Sequence, residues 1–123
     1  MNQVADLFQE HEEIKRRRSQ LQALAVLINS LAFEVNFRGL AFTDCHFSPT
    51  SGCFAFEVRP VDTESFRSCF RVTVFVDIDP EFLDSFSESV RDLELVIDFL
   101  RGLLAHGKPM KAYRPDESQE LVA

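Results

Sequence analysis

Apolar side chains recur at sevens along the first part of the chain, at Leu7, Ile14, Leu21 and Ile28, with Val4, His11, Arg18 and Ala25 in the alternate seam positions. That spacing predicts a helix over residues 3–31. Its two halves differ in character. Up to residue 18, Glu12 with Arg16 and Glu13 with Arg17 stand four apart, as on a solvated helix. Beyond it, Leu21, Ala23, Leu24, Ala25, Val26, Leu27 and Ile28 are apolar nearly all round, which suits burial on several sides. Residues 1–18 are therefore expected to project as a charged helix while the remainder docks. His11 and Arg18 in the seam limit any coiled coil to a short contact between two copies.

The period then shortens to two. Phe33, Val35 and Phe37 alternate with Glu34, Asn36 and Arg38 as far as Gly39, the pattern of a half-buried strand ending in a turn. Ala41–Ser48 and Cys53–Arg59 flank Pro49-Thr50-Ser51-Gly52 and predict a hairpin. With Thr50 and Ser51 at its tip, Phe47 faces Phe54 and Cys45 faces Phe56 on one side, and His46 faces Ala55 on the other. The same register sets Asp44 opposite Glu57, with Arg59 on the diagonal to relieve the repulsion. After a polar connection over 60–67, Phe70, Val72, Val74 and Val76 alternate with Arg71, Thr73 and Asp77 in a fourth strand, 68–78.

Asp79-Pro80-Glu81 has the chemistry of a helix start, with an acidic cap, proline in the first turn and a further acid behind it. Along the helix that follows, Phe86, Val90, Leu93, Ile97, Leu100 and Leu104 form one stripe. Val96, Phe99 and Leu103 widen it to about half the circumference at roughly 100° per residue. Gly107 and Pro109 end it. The expected fold is α+β: an N-terminal helix, a four-stranded antiparallel β-meander and a C-terminal helix. Residues 1–107 form one domain and 108–123 a flexible polar tail.

Composition fits a single core: 123 residues, 46% hydrophobic, with 13 Phe against one Tyr and no Trp, so the apolar surface carries few polar handles. The longest uncharged apolar run, 21–33, is too short to span a membrane. Asp6, Glu10, Glu12 and Glu13 ahead of the first bases argue against a secretory leader, and the cytoplasm is the expected compartment. Three cysteines, Cys45, Cys53 and Cys69, suit free thiols better than a disulfide framework, although a Cys45–Cys69 bridge is open. The net charge of −7 concentrates in residues 79–107, where seven acids meet two arginines. An acidic face disfavours nucleic acid and anionic membrane and favours a basic protein surface.

Candidate chemistry is sparse. His46 and Cys53 share a sheet face while Cys45 lies on the other, leaving two ligands where a structural zinc takes four. The Lys15-Arg16-Arg17-Arg18 run follows four acids on one helix and lacks interleaved aromatics, so intrahelical pairing accounts for it better than phosphate binding. The carboxylates of the last helix, Asp84, Glu88, Asp92, Glu94 and Asp98, point away from its apolar stripe and from any shared acid/base site. The four glycines are isolated, so no phosphate loop exists. No cofactor, metal or catalytic residue is assigned.

What remains is the breadth of the apolar arc on the last helix. If one sheet face cannot cover it, Val96, Phe99 and Leu103 form a partner-binding centre with Asp92, Glu94 and Asp98 as its acidic rim. The expectation is a non-enzymatic protein-binding module, an adaptor or chaperone-like protein, homodimeric through its helices. The small, acidic α+β profile resembles type III secretion chaperones over the whole chain, although a single run of four strands departs from their split sheet. The alternative is an acidic inhibitor of the phage anti-defence type, whose carboxylates block a basic nucleic-acid-binding surface on a target protein.

Overall fold

A computed structural model of the protein describes residues 3–62, 70–75 and 86–111. Helix α1 runs from Gln3 to Phe37, then come strands β1 (Phe42–Ser48), β2 (Cys53–Arg59) and β3 (Phe70–Phe75), and helix α2 (Phe86–His106) closes the order. The architecture is α+β with a three-stranded antiparallel sheet in the order β1-β2-β3. The strand expected over Phe33–Arg38 is absent, because α1 continues through it. The reason lies in the seven-residue seam, which does not stop at Ile28 but reaches Val35. In helical geometry Ala32 and Val35 enter the core behind Ile28 and Leu21. Phe33 and Phe37, one turn apart, swing outward and stack on each other with centroids 6.4 Å apart.

The turn after α1 is fixed by a pair of backbone bonds. Gly39 takes the left-handed conformation, with φ of 69°. Its N–H donates to the Asn36 carbonyl at 3.0 Å, and the Leu40 N–H donates to the Val35 carbonyl at 3.0 Å, the two bonds of a Schellman stop. The Asn36 side chain then acts as a short length of strand: its Oδ1 accepts the Thr43 N–H at 2.7 Å, and its Nδ2 donates to the Thr43 carbonyl at 3.1 Å. The Thr43 hydroxyl donates to the Ala32 carbonyl at 3.1 Å, tying the start of β1 to the last turns of the helix. A Cβ at Gly39 would meet no atom within 4 Å, so Gly39→Ala carries only the left-handed backbone penalty, about 1–2 kcal/mol. Gly102, inside α2, is equally uncrowded, and Gly102→Ala should instead stabilise by about 0.5–1 kcal/mol. Urea titrations of the two variants should move in opposite directions.

The hairpin has the expected register, with Phe47 opposite Phe54, Cys45 opposite Phe56, His46 opposite Ala55 and Asp44 opposite Glu57. Glu57 finds a cation in Arg71 of β3 at 3.2 Å, while the Arg59 guanidinium lies 5.1 Å from the Phe42 ring centre. Phe54, Phe56 and Val58 of the central strand are buried and Val74 joins them from β3, whereas Asp44, His46, Arg71 and Thr73 on the other face are exposed. One sheet face is thus covered by helices and the other is solvated.

The helices lie side by side and point the same way. Arg17 of α1 sits over the Phe86 ring at the beginning of α2, 5.1 Å from its centre, and Arg38 donates to the Leu104 carbonyl near its end at 3.4 Å. α1 also packs on β1 and α2 on β3. Gly107, with φ of 67°, ends α2 by donating to the Leu103 carbonyl at 2.9 Å. The segment after it, placed by the sequence pattern in a tail from 108, is docked at Met110. Its N–H donates to the Leu40 carbonyl at 2.6 Å, and its carbonyl accepts from Val61 at 3.2 Å. The expected helix start at Asp79-Pro80-Glu81, Cys69, the end of the last strand and residues 112–123 lie outside the described residues.

Candidate interaction surface

The structure divides the residues expected to form a docking centre on α2 between core and surface. Val96 is 0% exposed and belongs to the core with Leu93, Ile97 and Leu100. Phe99 and Leu103 are half-buried and packed against that core, and the Phe99 ring rests on Phe70 with centroids 6.1 Å apart. The apolar arc is wide because α2 has two neighbours. One flank meets α1 and the other meets β3, so a single helix must present two buried surfaces. Asp92, Glu94 and Asp98 are exposed, while of the apolar centre they were expected to rim, Val96 is inside the molecule and Phe99 and Leu103 are partly open.

Among the described residues, the exposed apolar side chains lie mainly on α1. Val26, Phe33 (72% exposed) and Phe37 (82%) are spaced seven and four apart and share its outward face. Beside Val26 a groove of about 500 Å³ runs between helix and hairpin, lined by Gln22, Ala25 and Asn29 from α1, Cys45, His46 and Phe47 from β1, and Phe54 from β2. Phe47, half exposed, forms its far wall. A second apolar group, Val4, Leu7 (65%) and Phe8 (64%), stands at the start of α1, where residues 3–12 are all exposed. Sequence reasoning assigned Phe33 and Phe37 to a buried strand face. Extending the seam by one further heptad to Val35 was the signal that would have placed them outside.

The thiols and carboxylates near the groove offer little chemistry. Cys45 and Cys53 are free. Burial, with a contribution from the neighbouring Asp44 charge, pushes the Cys45 thiol up to about 11. It is therefore protonated at neutral pH and a poor nucleophile. In a Cys53→Ser/Cys69→Ser background, the rate of iodoacetamide alkylation of Cys45 should keep climbing between pH 9 and pH 11, where an ordinary thiol levels off near pH 9. Because folding holds the neutral form, the unfolded chain loses this proton first, so stability should fall over the same interval as pH rises. Among the described residues no group of three or more His, Cys, Asp and Glu side chains is placed to hold a metal. Nor is any helix among them long and apolar enough to cross a membrane.

No protein-family model, curated protein or solved structure matches the chain, so function rests on the surface itself.

Proposed function

We propose that the protein is a non-enzymatic protein-binding module, adaptor or chaperone-like in manner and homodimeric through its helices, whose client-binding face is the outer side of α1 with the adjoining hairpin. The observation that supports this most is the alignment of Val26, Phe33 and Phe37 on one exposed helix face beside an apolar groove. Apolar side chains scattered singly are normal on a protein surface; several on one face, next to a concavity bordered by Phe47, are not. The client is an amphipathic segment of another protein, with apolar anchors for the groove and a basic flank. The basic flank follows from the net charge of −7 and from Glu34 and Asp44, exposed on the helix and strand that border the site.

The second reading, an acidic inhibitor that blocks a basic nucleic-acid-binding surface, draws on Asp92, Glu94 and Asp98, which stand exposed on α2. Salt separates the two. A partner captured from the native host and purified should keep most of its affinity between 50 and 500 mM NaCl if the apolar face holds it. A contact made by carboxylates alone should lose affinity steeply over that interval.

A further inference from the structure

β1 is an outer strand of the sheet, and Thr43 shows what its open edge takes. The Thr43 N–H and carbonyl both turn away from β2, where the Asn36 side-chain amide holds them at 2.7 and 3.1 Å. In an antiparallel ladder the backbone groups alternate in direction, so Cys45 and Phe47 turn theirs outward as well. Among the described residues none bonds to those two N–H groups or to their carbonyls. Such an edge is a template for another strand unless a proline, a bulge or a cover blunts it. β1 contains neither proline nor bulge, its register with β2 running unbroken from Phe42 to Ser48. The helical layer is also wider than the sheet beneath it. α1 packs on β1 and α2 on β3. Two helices side by side cover roughly 20 Å, whereas three strands at about 4.8 Å spacing cover roughly 14 Å. The excess, about one strand wide, falls beyond β1, where Gln22, Val26 and Asn29 stand exposed beside the groove they share with Cys45 and Phe47.

We infer that an extended segment of another protein enters this slot as an added strand, antiparallel to β1 and hydrogen-bonded to Cys45 and Phe47, with alternate side chains turned toward Val26. A helix does not suit the slot, because its backbone groups are bonded within it and its diameter of about 10–12 Å is twice the width. A second copy suits it less, since joining two β1 edges brings two overhanging α1 helices into the same space. Asn36 exchanges both of its bonds with one residue, which is the antiparallel pattern. Residues opposite Cys45 and Phe47 share their face of the sheet and point into the groove, so the segment is apolar there. The residue opposite Asp44 faces solvent. Asp44 is exposed, and no ion pair takes it among the described residues, so lysine or arginine is favoured at that position. This inference rests on the reading of α1 and the hairpin as the client face, and it gives the client its conformation.

Three synthetic peptides test it on the full chain: acetyl-Lys-Val-Thr-Val-Lys-amide, the same peptide N-methylated at both valines, and the same peptide N-methylated at the threonine. The first and third should bind the ¹⁵N-labelled protein in a titration followed by NMR. The second keeps every side chain but lacks the two donors that face β1, and should bind about tenfold more weakly or worse. In the complex the Cys45 and Phe47 amide protons should exchange with solvent about tenfold more slowly, whereas those of Asp44 and His46, which face β2, should not change. Equal binding of all three peptides, no binding in the millimolar range, or unaltered exchange at Cys45 and Phe47 would overturn the added strand. So would protection of these two amides in the free chain. Protection that rises with protein concentration assigns the edge to a second copy, and constant protection assigns it to the chain itself. The client face is judged by a separate result. If Phe33→Glu/Phe37→Glu binds the peptides as the wild type does, with the same loss on valine methylation, the added strand stands and Phe33 and Phe37 are not anchors. If that variant binds none of them while the wild type binds all three equally, the α1 face stands and the added strand falls.

Discussion

Val96→Asp should unfold the protein. Val96 is fully buried among Leu93, Ile97 and Leu100, so the substitution removes a methyl pair from a packed core and puts an unpaired carboxylate in its place. Each part is costly: a buried polar group without a partner costs roughly 2–7 kcal/mol, and an isolated charge more. A domain of this size has about 5–15 kcal/mol in total. The expected result is loss of the cooperative thermal transition, or a midpoint lowered by far more than a surface change produces. Asp98→Lys, two residues away and exposed, should shift stability by no more than about 0.5 kcal/mol. The comparison decides between two readings of the same stripe. A docking residue changed to aspartate leaves a folded protein that has lost its partner; a core residue changed to aspartate leaves no fold. A cooperative, folded Val96→Asp chain would return the arc of α2 to the surface.

The hairpin could be read from the sequence residue by residue because two independent signals agree there. The Pro49-Thr50-Ser51-Gly52 turn fixes the pairing sum, and the alternation of Cys45, Phe47, Phe54 and Phe56 fixes the face, so a slip of one residue would expose the whole apolar set. At Phe33 to Phe37 the signals conflict. Positions i, i+2 and i+4 satisfy a strand, while i and i+4 also share a helix face, so five residues cannot choose between the periods. The choice is made by Val35 falling in register with Leu21 and Ile28, a relation spanning fourteen residues, and by the Gly39 stop that closes the helix after it. The arc on α2 raised a different difficulty. Width shows how many directions a helix is covered from, but not whether the cover comes from its own chain. Here α1 lies against it over the stretch from Arg17 to Arg38, which its own sequence does not announce. The docking of Met110 was not announced either, since a lone apolar residue after Gly107 and Pro109 sets no period, and its side chain packs on the core while its backbone bonds to Leu40 and Val61.

Phe33→Glu/Phe37→Glu should leave the fold in place and abolish client binding. The two rings are exposed and stack chiefly on each other, so their removal forfeits an i,i+4 contact worth about 0.2–0.5 kcal/mol and little else. The thermal midpoint should therefore move by only a few degrees at most. Binding is a different matter. Aromatic anchors at the centre of an interface commonly contribute 2 kcal/mol or more each when truncated, so the double variant should weaken the purified client by about 100-fold or beyond in a fluorescence anisotropy titration. Two glutamates added to a chain of net charge −7 would, if carboxylates made the contact, strengthen a basic partner instead. The sign of the change thus separates the two functional readings more sharply than its size. Weakened binding assigns the contact to the apolar face of α1, and tightened binding assigns it to charge. Phe47→Ala, on the far wall of the groove, should weaken the same client by a smaller factor, because half of its ring already packs within the domain and only the exposed half is available to a partner.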